Sequence, residues 1–261
     1  MINVGVIGAA GRMGQAVIAA VEAAPDLTLS AVIDPRVDTL SVTKSVIRAT
    51  SVAELPDAAA EVLVDFTVAE AARLHLAPAL VRGIHLVVGT TGLTLEDLDA
   101  LEVASAASGA NAVVAPNFAL SAVLLMRFAE QAARYFEGVE IIELHHDNKV
   151  DAPSGTAMAT AERIAEARAI ASLEEPHDPT TTTVLQGARG GVGPGGLAIH
   201  SVRLPGLIAH EEVLFGNPGE GLTLRHDTYD RSAFMAGVLL AVRSVASRPG
   251  VTRGLDPLLD E

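Results

Sequence analysis

Up to Phe118 the apolar positions fall into short unbroken runs separated by stretches with helical spacing. INVGVIG is an apolar run ending in glycine, and QAVIAAVEAA, rich in Ala, reads as a helix. LTLSAVID is a strand ending at Asp34, and EVLVDFT is another. EAARLHLAPALVRG reads as a helix in which Pro78 is expected to introduce a kink or move the boundary. IHLVVGTTG is a strand with a glycine-bounded turn, and NAVVAPNF a strand ending at a Pro-Asn turn. Between them TLEDLDALEVASAA is a helix with Thr94 as N-cap and Glu96 and Asp97 near its positive end. Strand–helix alternation on this scale predicts a parallel, doubly wound sheet.

After Phe118 the pattern changes. ALSAVLLMRFAEQAARYF reads as one long amphipathic helix, VEIIELHH as a strand and TAMATAERIAEARAI as a helix. Residues 172–196 are irregular, and AIHSVRL, LIAHEEVLF and GLTLRHD follow as closely spaced strands before a last helix from Ser232 to Ser247. Strands without intervening helices point to an antiparallel or mixed sheet. The expected fold class is therefore α/β: a Rossmann-like doubly wound parallel sheet plus an α+β domain with a mixed or antiparallel sheet.

Composition narrows the function classes. Hydrophobic residues make up 49% of 261 but aromatics only 3%, so the core is aliphatic, as buried parallel strands are. The formal net charge of −14 argues against a nucleic-acid partner, which needs a basic face. The absence of cysteine removes disulfides, thiolate metal sites and a cysteine nucleophile. No apolar run has the roughly 18 residues of a membrane span, and the N-terminus lacks a basic leader, so a soluble cytoplasmic protein without membrane contact is expected.

VIGAAGRMG places Gly8, Gly11 and Gly14 between a strand and a helix. Glycine there allows a tight turn and close approach of a pyrophosphate to helix N–H groups. The spacing is one residue longer than GxGxxG, but Asp34 follows 20 residues after Gly14 at the end of the next strand, where a carboxylate accepts adenosine ribose hydroxyls. The plain alternative is an ordinary βα turn. Asp34 repels a 2′-phosphate, whereas Arg12 and Arg36 attract one, so NADH is the expected cofactor with NADPH also accepted. The turns Gly89-Thr90-Thr91 and Ala115-Pro116-Asn117-Phe118 end further parallel strands and are expected to line the nicotinamide half, unless they are connections only. GARGGVGPGG, residues 187–196, lacks a P-loop ending and reads as a mobile loop or flap.

HHDNKVDAPSGTA, residues 145–157, concentrates donors in an acidic chain. Lys149 is a compact positive charge, and His145 and His146 donate hydrogen bonds or protons near neutral pH. Ser154, Gly155 and Thr156 open a helix whose free N–H groups favour a carboxylate. Each piece alone has a bland reading as a surface His pair, a solvated Lys or a Ser N-cap. Together on one strand–loop–helix unit they point to binding of a small dicarboxylate and delivery of a proton opposite a hydride. His75, His85, His177, His200, His210 and His226 do not cluster in the sequence and are expected to be structural, with no metal site.

GAAGRMG, GTTG, APNFA and ELHHDNKVDAPSGTA resemble the 4-hydroxy-tetrahydrodipicolinate (dihydrodipicolinate) reductase family over essentially the whole chain. The resemblance implies proton transfer at His145, substrate contact at His146, a proton-donating and carboxylate-binding role at Lys149, and a carboxylate held by Gly155 and Thr156 next to Ser154. It also implies cofactor contacts at Gly8, Ala9, Ala10, Gly11, Arg12, Met13, Asp34, Gly89, Thr90, Thr91, Ala115, Pro116, Asn117 and Phe118. Pro35 departs from the pattern, because members that use NADPH well often carry a basic residue there. The implied architecture is a dinucleotide-binding domain of residues 1–116 and 226–261, a substrate and oligomerisation domain of residues 117–225, and a homotetramer. The implied reaction is reduction of 4-hydroxy-tetrahydrodipicolinate to tetrahydrodipicolinate with loss of water, in diaminopimelate and lysine biosynthesis. It requires the histidine–lysine loop to face the reactive end of the dinucleotide. The alternatives are a dehydrogenase of another small dicarboxylate and a non-catalytic dinucleotide sensor.

Overall fold

A computed structural model of the chain describes residues 1–259. The first elements are β1 (Ile2–Ile7), α1 (Arg12–Ala23), β2 (Leu27–Ile33), β3 (Ile47–Ala49), β4 (Val62–Asp65), α2 (Ala69–Val81), β5 (His85–Val88), α3 (Leu95–Ser108) and β6 (Ala112–Val114). They are followed by α4 (Leu120–Ala132), β7 (Gly138–His145), α5 (Gly155–Ile170), β8 (Gly191–Val192), β9 (Ala198–Arg203), β10 (Ala209–Asn217), β11 (Glu220–Thr228), α6 (Met235–Ser244) and β12 (Val251–Arg253). The chain divides into one unit of Met1–Leu120 with the segment from Arg231 onward, and a second of Ser121–Asp230.

The first unit holds a seven-stranded sheet in the order β12-β6-β5-β4-β1-β2-β3, with every pairing parallel. Its central strands are buried on both faces, which is why they read as unbroken apolar runs. Ile7, Ile33, Leu63, Leu86 and Val88 pack under Leu76 and Leu80 of α2 and Leu101 of α3. The alternate positions Val4, Val6, Val64 and Val87 are equally buried, on the side where α1 and α6 meet. Thr94 caps α3 in a reciprocal capping box with Asp97.

In the second unit the five strands run β11-β10-β7-β9-β8. β7 pairs parallel with β9, and β10 antiparallel with both β7 and β11, so the sheet is mixed. One face packs against α4 and α5 through Leu125, Ala129, Ile141, Ala161, Ile164, Val213 and Phe215.

Several expectations change. The boundary at 225/226 cuts β11, whose last residues His226, Asp227 and Thr228 still pair with Glu211, His210 and Ala209. The division of the chain lies instead at 120/121 and 230/231. Pro78 does not end α2, which continues to Val81 although the proline offers no N–H to the Leu74 carbonyl. The long helix after Phe118 stops at Ala132 rather than running through Tyr135. Residues 187–196 are not a free flap. Gly191 and Val192 pair with Ile199 and Ala198, Gly193 N–H donates to the Leu197 carbonyl at 2.8 Å, and a Cβ on Gly190 would lie 2.5 Å from the Ile199 carbonyl oxygen. β3 and β12, with three residues each, are too short to show a period.

Candidate active site

In the first unit the carboxyl ends of β6, β5, β4, β1 and β2 lie side by side. The turn after β1 is built by its glycines. Gly8 has φ 72°, which L side chains avoid. A Cβ on Gly14 would lie 2.2 Å from the Gly8 carbonyl oxygen, so only glycine lets α1 start this close to β1. The N-cap of α1 is Gly11, without a side-chain cap, leaving first-turn N–H groups for an anionic ligand. Asp34 is buried at the end of β2 and accepts from Ala10 N–H at 3.0 Å and Arg36 N–H at 2.8 Å. It retains acceptor capacity for hydroxyl donors, since a carboxylate offers about four lone-pair sites. The Arg36 guanidinium lies 3.5 Å from Asp34 and is mostly exposed, as is Arg12, while Met13 is half-buried. These features fit a dinucleotide.

The strand order adds residues that motif reading passed over. β4 lies between β5 and β1, so Asp65, Phe66 and Thr67 fall in the middle of the row. Asp65 is wholly buried, and its Oδ1 accepts from Thr67 N–H and Oγ1, both at 2.8 Å, and from Thr90 Oγ1 at 2.5 Å. Thr90 therefore braces the turn after β5, with Gly89 and Thr91 beside it. A Cβ on Gly89 would lie 1.9 Å from the Phe66 ring. Phe66 meets Phe118 edge-on with centroids 5.5 Å apart. Phe118, Ala115 and Ala9 are buried core and shape the rim from beneath. Pro116 is exposed, and Asn117 turns its Oδ1 to Ala119 N–H at 2.9 Å. The signal available in the sequence was a strand, VLVD, that ends in a polar run.

In the second unit His145 ends β7, and the loop to α5 carries the rest of the string. His145 Nδ1 lies 2.5 Å from Glu143 Oε2. Burial lowers the His145 pKa below its usual 6.5, an effect that Glu143 opposes and that Lys149 and Arg203 reinforce. His146 is exposed. Lys149 Nζ bonds both Asp151 oxygens at 2.8 Å, and this lysine holds the Asp151 carboxyl below the usual range. Ser154 is buried, and its hydroxyl accepts from Ala157 N–H at 3.1 Å as the N-cap of α5, so this side chain supports the helix end. Gly155 is exposed with open space where a Cβ would be, and Thr156 follows half-buried.

Glu143, also passed over by motif reading, is a fully buried carboxylate. The bidentate Arg203 pair, at 2.8 Å on each oxygen, joins it to β9. Burial alone would raise its pKa, but bonds from Arg203, Ser201 and His145 outweigh that and hold it below the usual value. Its signal was a charged residue in the inward alternation Val139, Ile141, Glu143, His145. Arg203 turns its terminal nitrogens inward, to Glu143 and to the carbonyls of Asp151 and Val202. His226 and His210, expected as unclustered structural histidines, are both buried, with His226 opposite Glu211 across the sheet. Among the described residues no three His, Cys, Asp or Glu side chains group as metal ligands, and no helix is long and apolar enough to cross a membrane.

Comparison with known proteins agrees with both halves. Residues 2–118 match the family model described as Dihydrodipicolinate reductase, N-terminus, and residues 121–259 match Dihydrodipicolinate reductase, C-terminus. A 4-hydroxy-tetrahydrodipicolinate reductase of Mycolicibacterium vanbaalenii is 51% identical over 99% of each chain. One of Nocardia farcinica is 52% identical over the same share. The solved dipicolinate-bound dihydrodipicolinate reductase from Paenisporosarcina sp. TG-14 superposes with a TM-score of 0.89 at 39% identity, covering 98% of this chain and 99% of that one. With both family models matched in order along its length, the chain belongs to the dihydrodipicolinate reductase family, whose members are NAD(P)H-dependent oxidoreductases of diaminopimelate and lysine biosynthesis.

Proposed function

We propose that His145 and Lys149 carry the proton chemistry of this chain, and that His146, Lys149 and the Ser154-Gly155-Thr156 helix start hold the substrate carboxylates. The reaction is the family's: 4-hydroxy-tetrahydrodipicolinate is reduced to tetrahydrodipicolinate with loss of water. A bound nicotinamide supplies the hydride. The chain's own residues do the rest. In the glycine turn Gly8, Ala9, Ala10 and Gly11 spend their N–H groups on Ile33, Asp34 and Gly8 and so shape the cradle, while Arg12 and Met13 at the start of α1 offer theirs to a pyrophosphate, and Asp34 receives ribose hydroxyls. Gly89, Thr90, Thr91, Ala115, Pro116, Asn117 and Phe118 form the neighbouring rim. The solved relative named above holds dipicolinate, a planar ring with two carboxylates, and a ring of that kind matches the paired cationic and N–H donors of residues 145–156. The observation that carries this reading is the joint placement of His145, Lys149 and the capped start of α5 on one strand–loop–helix unit.

NADH is the preferred donor and NADPH a second one, because the Asp34 carboxylate would repel a 2′-phosphate while the exposed Arg12 and Arg36 would attract one. The test is NADH and NADPH consumption on adding the condensation product of pyruvate and aspartate semialdehyde. A larger kcat/KM for NADH is expected, and a strong preference for NADPH contradicts the assignment. In the same assay Lys149→Ala is expected to lower kcat/KM roughly tenfold to a hundredfold. Losing a charged hydrogen bond costs about 1.5–3 kcal/mol, and each ~1.36 kcal/mol is a factor of ten. Near wild-type values would remove Lys149 from the site.

The chain acts in the cytoplasm as a homotetramer. The support for assembly is the sheet face opposite α4 and α5, where Ile142, Leu144, Val202 and Leu214 are all half-buried rather than covered. Light scattering at working concentration tests it, and a monomer contradicts it.

A further inference from the structure

Glu143 is a wholly buried carboxylate held by four hydrogen bonds. Its Oε1 accepts from Ser154 N–H at 3.2 Å and Arg203 Nη2 at 2.8 Å, and its Oε2 from Arg203 Nη1 at 2.8 Å and His145 Nδ1 at 2.5 Å. Those four bonds reach four parts of the fold: β9, the end of β7, the start of α5 and, through Arg203, the Asp151 carbonyl in the loop at 2.7 Å. A wholly buried carboxylate is costly unless its lone pairs are satisfied, and here these four bonds, with the Ser201 hydroxyl as a further donor, satisfy them against a half-buried Arg203. An ionised carboxylate is an acceptor only. The proton between it and His145 therefore belongs to Nδ1, and the bare nitrogen of the neutral ring is Nε2.

We propose that Glu143 is a positioning residue that fixes His145 as the Nδ1–H tautomer and, by the same carboxylate, sets the carboxylate-binding start of α5. The effect on turnover rests on the role proposed for His145 above; the tautomer itself does not. A histidine held by a carboxylate at one nitrogen presents the other for proton transfer, and wrong tautomers are costly in such arrangements. The groups that face His145 are Glu143 on its own strand, Lys149 in the loop, Arg203 on β9 and His226 on β11. Of these only Glu143 favours the protonated ring, so its removal moves any His145 titration to lower pH.

The experiment combines selective ¹⁵N-histidine NMR with kinetics of Glu143→Gln and Glu143→Asp. In the unsubstituted protein, above its own titration, His145 should show a protonated Nδ1 and an unprotonated Nε2, assigned by the signal lost in His145→Gln. In Glu143→Gln the two tautomers should mix, kcat should fall by at least about tenfold, KM for NADH should hold, and the limb of the pH profile should shift acid. Glu143→Asp, which keeps the charge, should recover part of kcat. An Nε2–H tautomer in the unsubstituted protein overturns the proposal without any variant, which matters if Glu143→Gln does not fold. A folded Glu143→Gln with unchanged tautomer and pH profile overturns it equally. If His145→Gln retains full turnover while the Nδ1–H tautomer is found, the catalytic role of His145 fails and the positioning of His145 by Glu143 stands.

Discussion

His145→Gln is expected to lower kcat by on the order of a hundredfold to ten-thousandfold, the range that a positioned acid or base supplies. Glutamine keeps an N–H donor within reach of Glu143, so the buried carboxylate is not abandoned and the variant should fold. KM for NADH should change little, because the glycine turn and Asp34 belong to the other unit. The pH dependence carries the sharper test. Burial, with Lys149 and Arg203 nearby, lowers the His145 pKa from 6.5, and Glu143 only partly offsets this. If the imidazolium delivers the proton, its fraction falls as pH rises through a value below 6.5. The activity limb therefore lies on the acid side of neutrality and declines with rising pH. In His145→Gln that limb should vanish, leaving a low rate that is flat over the same range. A variant with wild-type kcat, or one that keeps the limb, shows that another group transfers the proton.

Glu211→Gln is expected to stabilise the protein by about 3 kcal/mol at pH 8 and by only about 1 kcal/mol at pH 5. Glu211 is buried next to Glu143 in the register of β7 and β10, with His226 on its other side. Burial pushes its pKa up to about 7; a Thr160 hydrogen bond opposes the rise and the Glu143 charge adds to it. His226 does not supply a counter-charge, because burial lowers its pKa to about 4 and leaves it neutral. The folded state therefore holds the Glu211 proton over a pH window in which the unfolded chain has released it. Between roughly pH 4.5 and 7 the folded state binds more protons, so stability falls as pH rises across that window and then levels off. The gap of about 2.5 units at ~1.36 kcal/mol each sets the magnitude. Urea midpoints of both proteins at pH 5 and pH 8 measure it. A difference between variant and parent that does not grow with pH refutes the raised pKa.

Both residues illustrate why motif reading met only part of the site. His145, Lys149 and the Ser154-Gly155-Thr156 start of α5 lie within a dozen residues of one another, so their association is legible as a string. The glycine turn is legible for the same reason: tight turns and helix starts are local backbone problems, and glycine at Gly8 and Gly14 answers them in place. Asp34 was reached because a second strand of ordinary length ends there. Thr94 as a cap and the strand ends at Gly89 and Ala115 also follow from local signals.

By itself, then, the sequence determined the alternation of strands and helices, the change of pattern after Phe118, and the local clusters that carry donors and glycines. Only the tertiary structure decided which strands are neighbours. It set β4 between β5 and β1 and so brought Asp65 beneath Thr90, 25 residues away. It also set β7 between β9 and β10, joining Glu143 to Arg203 across 60 residues and placing Glu211 beside it. The physical reason is that periodicity and turn chemistry act over a few residues of backbone. Strand order and register, by contrast, are chosen by burial of whole faces, and no short stretch of sequence carries them.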